Sequence, residues 1–334
     1  MSDPAAAPAP APAPAPDGQD ELIAAVREGN RRAIARAMAI AESTSPGSRA
    51  LVGEIHRLAG RAHTVGITGV PGSGKSTMVR ALAQRLRSTG RTVGIVAIDP
   101  SSPFSGGAIL GDRIRMTELS GDPGVFIRSM ATRGALGGLA RATLDVVDVL
   151  DAANYDIVLI ETVGVGQDEV DVVQAAHTIV VVSAPGLGDE IQAIKAGVLE
   201  IADVHVVSKC DRPDGEKTVR DLRTMLKLGS LGRGDSAWSI PVVRTSAQNR
   251  EGIEQLLAAI DDHRVHLHET GELQTRRRKM LEMRIVKSAE DIIRDELSGR
   301  RRDDLRVLLT KAVNGDVDPY TAARSLLRAV TEGL

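Results

Sequence analysis

The sequence predicts an α/β fold, in which helices cover both faces of a mostly parallel sheet. Short runs of β-branched residues alternate with amphipathic helical stretches from residue 64 to about residue 262. Each run is apolar along nearly its whole length, as in strands that are buried on both faces. Only helical periodicity is found before and after this region, so we expect a helical extension in front of the α/β domain and a helical arm behind it.

Seven runs are predicted as strands because they are short, rich in Val and Ile, and separated by helical stretches. With only two Phe, two Tyr and one Trp among 334 residues, the core must be filled by aliphatic side chains. The predicted strands are residues 64–68, 92–98, 124–129, 156–161, 178–183, 204–208 and 241–245.

The remaining regions are assigned from composition and periodicity. The Pro/Ala tract at residues 4–16 predicts an extended, disordered tail, because proline fixes φ and donates no backbone hydrogen bond. Helical periodicity covers residues 20–43 and 47–60 in the extension. In the arm it covers 275–298, 303–313 and a helix that starts at Asp318-Pro319. The predicted regions are 1–18 (tail), 19–60 (extension), 61–265 (α/β domain) and 266–334 (arm).

The overall composition argues against several classes of protein. A net charge of −2 gives no general attraction to nucleic acid or to an anionic membrane. No apolar run approaches the roughly 18 residues of a membrane-spanning helix. Cys210 is the only cysteine, so an internal disulfide is impossible. The first basic residue is Arg27, which argues against a secretory or Arg-rich transit signal. We therefore expect a cytoplasmic protein.

The segment GVPGSGKS at residues 69–76 matches the pattern GxxxxGK[ST] between a predicted strand and a predicted helix at 75–88. This context is typical of a P-loop, whose inward-pointing amides bind phosphate oxygens at a helix N-terminus. Lys75 is expected at the β- and γ-phosphates, and Ser76 is expected to ligate Mg²⁺ with Thr77 beside it. The residues predicted to contact a nucleoside triphosphate here are Gly69, Pro71, Gly72, Ser73, Gly74, Lys75, Ser76 and Thr77.

Three carboxylates are candidates to support the Mg²⁺ ion together with Ser76. Asp99 and Glu161 each end a predicted strand, and the carboxyl ends of parallel strands lie on the ligand edge of such a sheet. Asp112, in the glycine-rich segment GGAILGDR, is expected to reach the same ion. The sequence therefore predicts a magnesium site beside the P-loop.

The segment TVGVGQ after Glu161 is predicted to sense the γ-phosphate. A flexible backbone amide at Gly164 is placed to bind the terminal phosphate and to relax after hydrolysis. Phosphoryl transfer depends on positioning and charge neutralisation, which makes Lys75 a catalytic candidate. Asp112, Glu161 and Gln167 are the candidates to orient the attacking water. We expect slow intrinsic turnover that rises when a partner orders these segments.

The segment VHVVSKCD at residues 204–211 ends in Lys-x-Asp, with Ser208 where many GTP-binding proteins carry Asn. Two carboxylate oxygens of Asp211 match the paired N–H donors of guanine, which adenine lacks. Lys209 is expected to lay its stem along the base, and Ser208 to replace Asn in linking the base loop to the P-loop. A backbone amide after the last strand is expected at the guanine carbonyl. The predicted base-contacting residues are Ser208, Lys209, Asp211, Ser246 and Ala247.

Long motifs in this chain resemble those of the GTPases associated with methylmalonyl-CoA mutase, the MeaB/ArgK-like proteins, whose human counterpart is the protein of cobalamin A disease. The resemblance covers roughly residues 20–330. Two departures are Ser208 and the Pro/Ala tail. The motifs are GVPGSGKST, VAIDPSSPFSGGAILGDRIRM (96–116), FIRSMATRGALGGLA (126–140), ETVGVGQDE (161–169) and APGLGDEIQAIKAG (184–197).

The resemblance implies a homodimeric GTPase whose arm at 266–334 dimerises, and which binds GTP or GDP with Mg²⁺. It implies a chaperone for the adenosylcobalamin-dependent mutase, active in cofactor delivery, protection or rescue. It places the metal and catalytic carboxylates on Asp99, Asp112 and Glu161, and a further mobile segment on 184–195. The alternative function is a kinase of the ArgK type, which transfers the γ-phosphate to a protein or small molecule. The alternative for the arm is that it folds back on its own α/β domain.

Two other features are interpreted as unrelated to metal binding and to nucleic-acid binding. The spacing of His263, His266 and His268 does not place all three on one helical face, so we expect a solvated helix end rather than a metal site. The basic runs at 276–279 and 300–302 occur without aromatic residues for base stacking. We therefore expect solvated helix faces or a patch for an acidic partner, and no nucleic-acid binding.

Overall fold

The structure is a computed structural model that describes most of the chain. The predicted site residues Asp112, Gly164, Gln167 and Ala247 lie outside the described residues, as do residues 1–17 of the predicted tail. The described residues are 18–43, 46–99, 117–119, 121–131, 138–162, 176–186, 201–229, 238–246, 249–299 and 302–331.

The described residues form a seven-stranded parallel sheet in the order β3-β2-β4-β1-β5-β6-β7. β1 lies in the middle and is hydrogen-bonded to β4 on one side and to β5 on the other. The prediction of an α/β fold with a parallel sheet is confirmed. The strands are β1 (His63–Gly69), β2 (Val93–Asp99), β3 (Val125–Ala131), β4 (Ile157–Glu161), β5 (Thr178–Ser183), β6 (Val204–Val207) and β7 (Val242–Arg244).

Ten α-helices are found in the described part of the chain, together with a 3₁₀ turn at Thr117–Leu119. They are α1 (Gln19–Arg27), α2 (Arg31–Ala41), α3 (Pro46–Leu58), α4 (Lys75–Ser88), α5 (Gly138–Ala152), α6 (Gly215–Gly229), α7 (Ile253–Glu269), α8 (Glu272–Ser298), α9 (Arg302–Val313) and α10 (Pro319–Thr331). None of the helices in the described residues is both long and apolar enough to cross a bilayer.

The helical stretch predicted at 20–43 is broken into α1 and α2. Gly29 adopts a left-handed conformation with φ of 76°, which a side chain rarely tolerates. The side chain of Asn30 then caps α2 by accepting hydrogen bonds from the amides of Arg32 and Ala33 at 3.0 and 3.1 Å. Apolar periodicity continues across the break, which is why the sequence pattern did not show it.

Two apolar layers cover the sheet. On one face, α1, α2, α3 and α5 pack on β2, β3 and β4, with Ile34, Met38 and Leu150 fully buried among the strand side chains. On the other face, α4 and α7 pack on the central strands through residues such as Leu82 and Ile260. The N-terminal helices therefore belong to the layer over one half of the sheet.

The first part of the arm is attached to this body by two arginines of α8. Arg276 donates two hydrogen bonds of 2.7 Å to Asp203, which precedes β6. Arg284 bonds to Asp145 and Asp148 of α5 at 2.7 and 2.6 Å. Both arginines are mostly buried, so these ion pairs fix the arm against the sheet and its helical layer.

The outer part of the arm exposes apolar side chains. Among the described residues, none of α9 is buried, and Leu309 and Val313 are 60% and 79% exposed. Ile285 on α8 and Tyr320 on α10 are exposed as well. In the described part of the chain, the arm therefore contacts its own α/β domain through only one side, and the apolar residues named above remain exposed to solvent.

The prediction that the three histidines form a solvated helix end is wrong for His263. This ring is fully buried and shares a 2.8 Å hydrogen bond with the hydroxyl of Thr178. Burial lowers the pKa of His263 to about 4, with nearby Asp203 opposing the shift. His263 faces the sheet because it lies one turn after Ile260 on the apolar side of α7.

Candidate nucleotide-binding site

The P-loop connects the carboxyl end of β1 to the first turn of α4. Gly69 has φ of 144°, and a Cβ atom there would lie 2.1 Å from the carbonyl oxygen of Val182 in β5. Any larger residue would push the loop off the sheet. Gly72 and Gly74 also adopt left-handed conformations, with φ of 77° and 92°. Glycines in these conformations allow the chain to curl around the space where a phosphate binds in a P-loop, here called the phosphate hollow, at the N-terminus of α4.

Lys75 lies inside this loop. Its side chain is buried, and its ammonium group donates hydrogen bonds to the carbonyl oxygens of Gly69 and Val70 at 2.8 and 3.1 Å. Neutral carbonyl oxygens hold the cation beside the hollow, where it can exchange them for negatively charged phosphate oxygens. Of the other predicted contacts, Ser73 is buried, while Pro71, Gly72 and Thr77 are exposed.

Ser76 and Glu161 meet beside the P-loop. The hydroxyl of Ser76 donates to Oε1 of Glu161 at 2.5 Å, and Glu161 is buried at the end of β4. The two residues therefore present adjacent hard oxygen atoms at the phosphate hollow, the donor type that Mg²⁺ prefers. Both residues fit a magnesium site.

The other two predicted carboxylates are only partly placed by the structure. Asp99 ends β2, which is hydrogen-bonded to β4, so its backbone lies on the same edge of the sheet as Glu161. Asp112 lies outside the described residues, as do Gly164 and Gln167 of the predicted phosphate sensor.

A buried threonine pair links the two strands that carry the site. The hydroxyl of Thr162 donates to that of Thr68 at 3.0 Å, and the amide of Thr162 bonds to the carbonyl of Ile67. These bonds fix the end of β4 against the end of β1, and hence Glu161 against the P-loop. No sequence pattern indicates this pair, because the two threonines are 94 residues apart.

The loop after β6 is hydrogen-bonded directly to the P-loop. The hydroxyl of Ser208 contacts the carbonyl oxygen of Ser73 at 2.5 Å and that of Ser183 at 3.1 Å. The ammonium of Lys209 donates to the carbonyl of Gly72 at 2.7 Å, and Lys209 itself is left-handed, with φ of 54°. Consecutive residues of this loop thus hold consecutive carbonyls of the P-loop.

Asp211 extends beyond this contact and is fully exposed to solvent. A hydrogen bond from the side chain of Ser246 lowers the pKa of Asp211, and a backbone hydrogen bond and the nearby Arg212 and Lys209 act in the same direction. The group is therefore a carboxylate at neutral pH, which is the form that accepts from two N–H donors of a base.

The segment after β7 has fewer backbone amides available to a bound base than predicted from the sequence. The amide of Thr245 donates to Val207, and the amide of Ser246 donates to Glu251. Ser246 therefore acts through its side chain, by orienting Asp211, and its amide is not available to a base carbonyl. Ala247, the remaining predicted residue, lies outside the described residues.

These features lie along one edge of the sheet. A phosphate hollow with a lysine and a hydroxyl–carboxylate pair lies after β1, and an exposed carboxylate lies after β6. The loops that carry them are joined by the two bonds from Ser208 and Lys209. This arrangement can bind a purine nucleotide with its phosphates at the P-loop and its base at Asp211.

Comparison with known proteins gives the same assignment. The family described as methylmalonyl-CoA mutase-associated GTPase MeaB matches residues 34–302. A putative GTPase of Pyrococcus abyssi is 46% identical over 315 residues, which cover 94% of this chain and 97% of the relative. The mouse protein named methylmalonic aciduria type A homolog, mitochondrial, is 32% identical over 93% of this chain and 79% of its own length.

A solved structure has the same fold over almost the whole chain. The crystal structure of a protein described as LAO/AO transport system kinase superposes with a TM-score of 0.67 at 28% identity. The match covers 94% of this chain and 97% of that protein. Together with the family match over most of the sequence, this identifies the chain as a member of the methylmalonyl-CoA mutase-associated GTPase family.

Proposed function

We propose that this protein binds GTP with Mg²⁺, hydrolyses it to GDP and phosphate, and acts as a chaperone for an adenosylcobalamin-dependent methylmalonyl-CoA mutase. The observation that carries the nucleotide part is the direct bonding of the base loop to the P-loop through Ser208 and Lys209. It sets Asp211 at a fixed position relative to the phosphate hollow, so that one ligand can reach both.

The described residues have distinct roles in this proposal. Lys75 leaves its carbonyl partners and neutralises the β- and γ-phosphates, and Ser76 and Glu161 hold the metal. Bound Mg²⁺ supplies further neutralisation of phosphate charge. Asp99 and Asp112 are proposed to support the ion, and Gly164 and Gln167 to contact the γ-phosphate and the attacking water.

The chaperone role rests on the family. The matching family is described by its association with methylmalonyl-CoA mutase, and the mouse relative is named for methylmalonic aciduria. We also propose a homodimer built by the arm. The exposed large apolar side chains support this, because most of those in the described residues are concentrated on α8, α9 and α10, and a concentration of exposed apolar surface marks an interaction site.

The proposal is tested by measuring phosphate release from GTP and from ATP, with Mg²⁺, in the presence and absence of an adenosylcobalamin-dependent mutase from the same cell. We expect slow release from GTP, little from ATP, and faster release from GTP with the mutase. An unchanged rate with the mutase contradicts the chaperone role.

The kinase function is the second candidate, since a structurally similar protein is described as a transport system kinase. The same reaction with GTP labelled at the γ-phosphate separates the two functions. Free phosphate without labelled protein supports the GTPase. Label that appears on an added acceptor, with little phosphate release in its absence, supports the kinase.

A further inference from the structure

Ser208 occupies the position between the predicted base contact and the phosphate hollow. It follows β6 directly, its side chain is buried, and a Cβ atom on Gly74 of the P-loop would lie 3.9 Å from its Oγ. Asp211, three residues later, is exposed at the outer end of the site. A guanine bound with its N1 and N2 donors on Asp211 and its phosphates in the P-loop therefore passes over position 208.

The hydroxyl of Ser208 has a single proton, and two backbone carbonyls already surround its oxygen. These are the carbonyls of Ser73 at 2.5 Å and Ser183 at 3.1 Å. A carbonyl cannot donate, so the proton of Ser208 must be directed to one of them or shared between them. The side chain then has no second donor to offer to a ligand. An asparagine amide has two donors and one acceptor, and can serve a carbonyl and a base together.

The five-membered ring of guanine presents N7, which is an acceptor only. An acceptor gains nothing from the lone pairs of Ser208, and its one proton is engaged by the P-loop and β5. Lys209 is directed away as well, because its ammonium bonds to Gly72. The described residues of the base loop thus provide a side-chain partner for the N1 and N2 edge of guanine and none for N7.

We infer that Ser208 is a positioning residue, which joins the base loop to the P-loop, and that this protein recognises guanine without a side-chain hydrogen bond to N7. The inference rests on the proposed guanine-nucleotide function and specifies how that site selects its base. Among the described residues of the base loop, Asp211 is then the one whose side chain selects guanine. A nucleotide in which N7 is replaced by carbon is an equally good ligand.

The experiment compares the dissociation constants of GDP, 7-deaza-GDP and ADP, with Mg²⁺, for the wild-type protein, and those of GDP and 7-deaza-GDP for Ser208→Asn and Ser208→Ala. We expect the wild type to bind both ligands equally within about twofold. Ser208→Asn adds a donor and should prefer GDP over 7-deaza-GDP by about fivefold, the value of one neutral hydrogen bond. Ser208→Ala should weaken both ligands by the same factor, because only the link to the P-loop is lost.

Each other result contradicts the inference. A wild type that prefers GDP by more than about twofold has a donor at N7, and this result needs no variant to fold. Equal binding of the two ligands by a folded Ser208→Asn protein means that position 208 does not face N7, which overturns the assignment of the missing N7 bond to Ser208. If ADP binds as tightly as GDP, the proposed guanine site itself is wrong. Neither of the first two results implies this, so failure of the inference and failure of the proposed function can be told apart.

Discussion

Replacing Arg284 by alanine tests how the arm is held to the body of the protein. The guanidinium of Arg284 lies between two carboxylates of α5, at 2.7 Å from Asp145 and 2.6 Å from Asp148. Only 14% of the Arg284 side chain is exposed, and both carboxylates are largely buried. The substitution leaves two acidic groups close together without their shared cation. Removing one partner of a buried pair in this way costs about 3–5 kcal/mol.

Arg49→Ala is the matched control, because it also removes an ion pair between the helical layer and α8. Arg49 lies 3.3 Å from Asp295, but the two side chains are 51% and 42% exposed. An exposed pair of this kind is worth at most about 1 kcal/mol. Each substitution therefore removes one positive charge that links α8 to the helical layer. The two ion pairs differ in how far their side chains are buried.

The assay is urea unfolding of each variant, followed by circular dichroism at neutral pH and moderate salt. We expect a loss of unfolding free energy of about 3–5 kcal/mol for Arg284→Ala and about 1 kcal/mol or less for Arg49→Ala. Equal small losses for both variants would show that the buried ion pairs of Arg284 contribute no more than the exposed pair of Arg49.

Three further predictions concern separate parts of the molecule. Burial lowers the pKa of His177 to about 3, and its Nδ1 accepts from the amide of Thr64. The unfolded chain takes up this proton below about pH 6.5, so His177 should cost about 2 kcal/mol of stability at pH 5. His177→Asn should lose that much less between pH 7 and pH 5 in urea unfolding, and an unchanged pH dependence contradicts this. Asp211→Asn should lower the ratio of GDP to ADP affinity by about tenfold. The control Asp214→Asn, in the same exposed loop, should leave this ratio unchanged. Equal effects of the two substitutions would exclude Asp211 as the residue that selects guanine. Sedimentation should give a dimer for the wild type and a monomer for Leu309→Glu with Val313→Glu, and a dimer that persists places the interface elsewhere.

The strands and the P-loop could be predicted from the sequence because their signals are local. A run such as TIVVVS at 178–183 is apolar apart from its terminal Thr and Ser, and it forms a central strand with the same bounds. The P-loop pattern fixes residue types within eight positions, and α4 begins at Lys75 as predicted. In both cases the physical cause of the structure lies within a few residues of the element itself.

The parts that could not be predicted depend on contacts between distant segments. The bond from Lys209 to Gly72 joins residues 137 positions apart, and no local pattern indicates it. The amide of Ser246 donates a hydrogen bond to the carbonyl of Glu251, and this bond depends on the path of the loop after β7. His263 is a polar residue on the buried side of a helix, where it depends on Thr178 as its partner. Polar groups of this kind are placed by tertiary structure rather than by periodicity.

The central claim is that one ligand reaches both the P-loop and Asp211, and direct titration tests it. The measurement is the binding of GDP and of ADP, each with Mg²⁺, to the wild-type protein and to Lys75→Ala, by calorimetry. We expect GDP to bind at least about tenfold more tightly than ADP, and a folded Lys75→Ala protein to bind GDP much more weakly. A folded wild-type protein without measurable affinity for any guanosine phosphate would contradict the account.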